Sequence, residues 1–116
     1  MATLTRNTIP IGGIDLVGSL VAADVAGDEV LNNVPNAAHT FIAVANGGGG
    51  PIIVTVNSQS NCSQGFDHDS AVTVPAGETH LIGPLPKGRW NDPADNKVKW
   101  TYDSVTSVTV GVFELL

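Results

Sequence analysis

The residues best equipped for chemistry lie in one short run, Cys62-Ser63-Gln64-Gly65-Phe66-Asp67-His68-Asp69. A calcium loop takes oxygens at several fixed positions and a downstream acid. Here Asp69 is followed by Ser70-Ala71-Val72, which enters an apolar run, and the next acid, Glu78, lies beyond Pro75 and Gly77. Zinc takes about four N, S or O ligands in a tetrahedron, and His39 and His80 are far from the run in sequence. A nucleophilic centre aligns a Cys or Ser with a His and an orienting acid, normally drawn from separate segments. Three neighbours in one loop do not easily form that line, and no Gly-x-Ser-x-Gly elbow is present. The run reads as a polar loop whose aspartates bond nearby N–H groups. Asp67, His68 and Asp69 are kept as a candidate ligand loop. No catalytic or metal-ligating residue is assigned, no cofactor is expected, and the chain is not expected to be an enzyme.

Other clusters read in the same way. Asp24, Asp28 and Glu29 could pair carboxylates for acid–base work, but their setting is that of solvated loop acids. The run Gly47 to Gly50 lacks a following Lys-Ser/Thr and a helical pattern, so it reads as a turn with a mobile tip rather than a phosphate cradle. Trp100 alternates with Val98 and Tyr102 and belongs in a core. Trp90 stands between Arg89 and Asn91-Asp92-Pro93, where it either anchors a loop or touches a partner, since Trp and Arg are frequent interface hot spots.

Those side chains must be positioned by a single small domain. The chain has 116 residues, a net charge of −6 and only 14% charged residues. Soluble domains usually carry about 25%, so the polar surface is built from Thr, Ser, Asn and Gly, which suits strands, turns and life in an assembly. Five basic residues against eleven acids argue against direct nucleic-acid binding. One cysteine excludes an intrachain disulfide. No apolar run approaches the ~18 residues of a membrane span, and the first residues lack a secretion-signal pattern. The expectation is a soluble protein made in a cytoplasm.

Alternation with period two marks the strands. It is clean over residues 97–102, and over 105–115 it gives Val108, Val110 and Val112 one face and Thr109, Gly111, Phe113 and Leu115 the other, so this strand is expected to be covered on both sides. Residues 39–45 and 51–57 read as a hairpin closed by the glycines. Residues 72–85 hold two short strands joined at Pro75 and Gly77. Weaker candidates span 15–23 and 29–32, and residues 4–9 suit an edge strand or an extended arm ending at Pro10. About seven to nine short strands with regular turn signals predict an all-β fold, a small single-domain β-sandwich (jelly-roll-like) or a barrel. Residues 1–10 form the arm or edge strand and 11–116 the domain.

The order of segments resembles a family of small tailed-phage virion structural proteins of the head decoration or cement kind. The landmarks are Leu20-Val21-Ala22-Ala23-Asp24-Val25-Ala26-Gly27-Asp28, His39-Thr40-Phe41-Ile42-Ala43-Val44-Ala45-Asn46-Gly47 and Ile53-Val54-Thr55-Val56-Asn57-Ser58-Gln59. They continue with Gly65-Phe66-Asp67-His68-Asp69, Val74-Pro75-Ala76-Gly77, Ile82-Gly83-Pro84 and Arg89-Trp90-Asn91-Asp92. Each is weakly specific turn and strand chemistry; the order, over about residues 15 to 115, is what resembles the family. The resemblance implies a protein on the outside of a phage head, with the major capsid protein as partner; a head–tail connector or tail component is the alternative, and a carbohydrate-binding sandwich a third. It implies no particular binding residues. A closed homo-oligomer, dimer or trimer, is expected on a symmetric shell. The candidate contacts are Thr3, Leu4, Thr5, Arg6 and Thr8, which suit strand addition to a neighbour, and Lys87, Arg89 and Trp90. If residues 2–10 are a docking arm, deleting them should leave the domain folded.

Overall fold

The computed structural model describes residues 1–32, 39–59 and 68–115. Ten strands occur among them: β1 (Ala2–Leu4), β2 (Arg6–Thr8), β3 (Val21–Ala22), β4 (Asp28–Leu31), β5 (Thr40–Asn46), β6 (Ile52–Val56), β7 (Ser70–Val74), β8 (Thr79–Ile82), β9 (Lys97–Tyr102) and β10 (Val108–Glu114). The helical elements among the described residues are a 3-10 turn at Val17–Ser19 and one α-turn, α1 (Lys87–Trp90). The fold is all-β. The strands form two mixed sheets, one ordered β1-β4-β9-β6-β7 and the other β2-β10-β5-β8 with β3 beside β10. They do not close into a barrel.

The period-two pattern builds the interior. Val30, Ile52, Val54, Val56, Val74, Val98 and Trp100 from the first sheet meet Ile42, Val44, Ile82, Val108, Val110 and Val112 from the second in one buried cluster. β10 is covered on both faces, as its sequence implies: Val110 and Val112 face the core, while Gly111 and Phe113 are also buried. Phe113 stacks on Phe41 at 6.0 Å between ring centroids. A Cβ on Gly111 would stand 2.9 Å from a Leu20 methyl, so glycine admits the 3-10 segment onto this face.

The expected central hairpin does not form. β5 pairs with β10 and β8, whereas β6 pairs with β7 and β9. The four glycines therefore carry the chain from one sheet to the other. Packed sheets lie about 10 Å apart, a gap that a two-residue hairpin turn does not span. The base of the crossing is fastened by Asn46, which is buried: its Nδ2 donates to Gly50 O (2.8 Å) and Val74 O (3.0 Å), and its Oδ1 accepts from Gly48 N (3.0 Å). The Pro75–Gly77 turn likewise leads from β7 in the first sheet to β8 in the second.

Residues 2–8 are paired along nearly their whole length. β1 lies parallel to β4 and β2 parallel to β10, so the segment changes sheet at Thr5 and joins the two. Gly27 turns the chain into β4 with φ +98°, and a Cβ there would sit 2.6 Å from the Trp100 carbonyl oxygen. Only glycine meets both demands.

Candidate functional site

The candidate contacts at residues 3–8 are largely engaged within the domain. Leu4 packs against the core cluster. Arg6 reaches from β2 to the other sheet: its Nη1 donates to Leu31 O at 2.6 Å, and its Nε pairs with Glu114 Oε2 at 3.0 Å. Thr8 Oγ1 donates to the other Glu114 oxygen (2.7 Å), and Thr3 Oγ1 to Glu29 Oε2 (3.2 Å). Thr5, at the crossing, is exposed.

The second group divides. Trp90 is 7% exposed and belongs to the core cluster, and the Arg89 guanidinium lies 4.4 Å from its ring centroid. Lys87 and Arg89 are exposed, and neither is in an ion pair among the described residues. The other three bases are: Arg6 with Glu114, Lys97 with Glu29 at 2.6 Å, and Lys99 with Asp92 and Asp95 at 2.9 and 3.0 Å. The Ala94 N–H and the Lys99 ammonium hold the Asp92 carboxyl below its ordinary pKa, and the hydrogen bonds to Asp92 and Asp95 raise that of Lys99.

What positions α1 is an amide pair that no local pattern announces. Asn32, after β4, and Asn91, after α1, are both buried. Asn32 Nδ2 donates to Asn91 Oδ1 (2.9 Å) and Leu85 O (3.0 Å), and Asn91 Nδ2 donates to Asn32 O (3.0 Å). Asn91→Ala strips a partner from two buried groups, which costs roughly 2 kcal/mol. The expected result is a lower urea midpoint at unchanged slope; a midpoint within error of the parent would mean that the pair does not hold α1.

Of the candidate ligand loop, Asp67 lies outside the described residues, as does Cys62. Asp69 Oδ1 accepts from Ser58 N (2.9 Å), and the His68 carbonyl accepts from Arg89 Nη2 (3.0 Å). Among the described residues, no group of three His, Cys, Asp or Glu side chains could hold a metal ion. Two of the acids expected as solvated loop residues depart from that reading: Asp28 and Glu29 lie on β4, where Glu29 is largely covered and paired with Lys97, and Asp28 is fully buried. Its Oδ2 accepts from Tyr102 Oη (2.6 Å) and Asp24 N (3.2 Å), and Oδ1 has no partner among the described residues. Tyr102 Oη accepts in turn from Trp100 Nε1 (2.8 Å). Burial, then the bond to Asp28, pushes the Tyr102 phenol above its ordinary pKa. The short strands on either side, β4 and β9, bring these groups together.

Among the described residues two apolar surfaces stand out. The first is the segment 11–21, which displays Ile11, Ile14, Leu16, Val17 and Val21 to solvent while Leu20 turns inward against Gly111. The second is the opposite side of the sandwich, where the edge strands β7 and β8 flank a cleft of about 250 Å³ lined by Val56, Val72, Leu81, Ile82, Leu85 and Trp90, with α1 beside it. Sequence reasoning missed the first surface because apolar residues among glycines carry no periodicity. Comparison with protein-family models, with curated proteins and with solved structures finds no match to this chain.

Proposed function

We propose that this protein is a structural component of a virus particle, a decoration or cement protein on the outside of a phage head. The observation that carries the reading is the apolar display of segment 11–21. Contiguous exposed apolar side chains on a soluble domain mark interaction surfaces, and here five large ones fall within eleven residues of a chain with only 14% charged residues. The likeness in segment order to phage head proteins supplies the partner, the major capsid protein. The chemistry required is docking: a stiff sandwich offers a platform, and a solvent-facing apolar loop gains free energy when a shell subunit covers it. Because residues 2–8 are paired within the domain, attachment is assigned to this loop rather than to an arm. A glycan-binding reading would use an exposed Trp90 face, and that ring is buried under Arg89.

The test is co-sedimentation of the purified protein with phage heads that lack it. Saturable binding, with raised heat resistance of the heads, is the expected outcome. The pair Ile11→Asp and Val17→Asp, both at solvent-exposed positions, should weaken that binding by at least about tenfold while leaving the fold intact. Absence of binding to heads would sink the proposal and point to a connector or tail position.

A further inference from the structure

The edge of β7 is built to pair with another strand. Ile53 exchanges hydrogen bonds with Asp103 on the β9 side: Asp103 N donates to Ile53 O at 3.1 Å, and Ile53 N donates to Asp103 Oδ1 at 2.8 Å. Backbone groups of successive residues in a strand point to alternate edges. Ile52, Val54 and Val56 therefore face β7, and their register partners Val74, Val72 and Ser70 face back. That leaves Ala71 and Thr73 with N–H and C=O directed away from the sheet, and among the described residues no strand pairs with that edge.

Natural sheets protect such edges with charges, proline, bulges or very short strands. The edge strands β1 and β2 have three residues each and β8 has four. β7 has five, Ser70-Ala71-Val72-Thr73-Val74, with neither charge nor proline. It borders the apolar cleft, whose Leu81 is 63% exposed.

We propose that the occupant of this edge is a second copy of the chain, joined antiparallel through β7 about a two-fold axis at Val72. Ala71 of each copy then faces Thr73 of the other, and four backbone hydrogen bonds fuse the two β7-edged sheets into one. The charges select this partner. Arg89 Nη2 holds the His68 carbonyl, so the guanidinium lies at the leading end of β7, with Lys87 on the same helical turn. Continued past the end of β7, this register brings His68 towards the Pro75–Gly77 turn of the second copy, which leads to Glu78, whose side chain is 56% exposed and lies 2.8 Å from His80 Nε2. The two bases that have no ion pair among the described residues thus meet an exposed acid, twice by symmetry. Such an isologous contact closes on itself and leaves segment 11–21, on the opposite side, open. The inference does not rest on the virion reading, since the test contains no phage head.

Sedimentation equilibrium of the full chain should show a dimer, with slowed amide exchange at Ala71 and Thr73. Thr73→Pro deletes an outward-facing N–H, a change that edge strands tolerate, and should give a folded monomer. Glu78→Arg should raise the dissociation constant by roughly 10- to 100-fold through like-charge contact. Adding Lys87→Glu and Arg89→Glu to Glu78→Arg should restore it, a result independent of how well the proline variant folds. A wild type that stays monomeric at every concentration overturns the proposal. So does a dimer indifferent to both the proline and the charge reversal.

Discussion

Replacing Tyr102 with phenylalanine is expected to cost about 2–4 kcal/mol, because one hydroxyl serves two buried partners. Without it the Trp100 indole N–H loses its acceptor, and among the described residues the Asp28 carboxylate retains only the Asp24 N–H at 3.2 Å. Both Asp28 and Trp100 are fully buried, so each lost bond leaves a desolvated polar group. The same hydroxyl gives the domain an alkaline limit. The phenol's pKa is raised in the folded state, so its contribution is complete below the ordinary tyrosine value of about 10 and is lost as pH rises beyond it. The stability gap between the parent and Tyr102→Phe should accordingly narrow in strong alkali. Since the chain has a single tyrosine, phenolate absorbance reports this group alone. It should appear together with unfolding; a phenolate that forms at the ordinary pH in an intact fold would refute the account.

Removing residues 1–9 should be more damaging still. The deletion takes away two parallel strand pairings, the packing of Leu4 and the Arg6 bridge between Glu114 and the Leu31 carbonyl. At about 1 kcal/mol per hydrogen bond, and roughly 1 more for the half-buried Leu4, the loss is on the order of 5 kcal/mol or more. Small domains have only about 5–15 in total. Thermal unfolding followed by circular dichroism should show a melting temperature lower by roughly 20 °C or more, or no cooperative transition. A cooperative melt within a few degrees of the parent would show instead that these strands are dispensable, as a docking arm would be.

Much of the fold was legible because alternation reports which side chains face inward. Val98, Trp100 and Tyr102 share a face on β9, and β10 is buried on both faces, as their sequences imply. Alternation does not report which strand lies alongside. β5 and β6 look like a hairpin because both are apolar and glycines separate them; they belong to different sheets, and the crossing between them is fastened by the buried Asn46 side chain, whose partners residue types do not announce. β1 and β2 are too short for any period to show. The candidate site was less legible. Lys87 and Arg89 stood out as charge beside tryptophan, but the burial of Trp90 depends on Asn32 and Asn91, which are 59 positions apart. In sequence Asp28 is indistinguishable from Asp24 and Glu29, which are only partly buried; what sets it apart is Tyr102, placed against it from a distant strand. The open edge of β7 follows from hydrogen-bond direction in β6, which residue types do not encode.

The pairing of β2 with β10 also sets an order of events during synthesis. Thr8 and Glu114, joined by a side-chain hydrogen bond, are 106 residues apart. Among the described strands β10 leaves the ribosome after all the others, so β2 must wait, unpaired, while the strands between them emerge. The second sheet lacks the neighbour of both β2 and β5 until that moment. The second sheet therefore closes only once β10 has emerged, and contacts this distant in sequence make folding slow. In that interval the uncharged β7 segment is exposed on every nascent copy, and crowded polysomes are where its capacity to pair would first be felt.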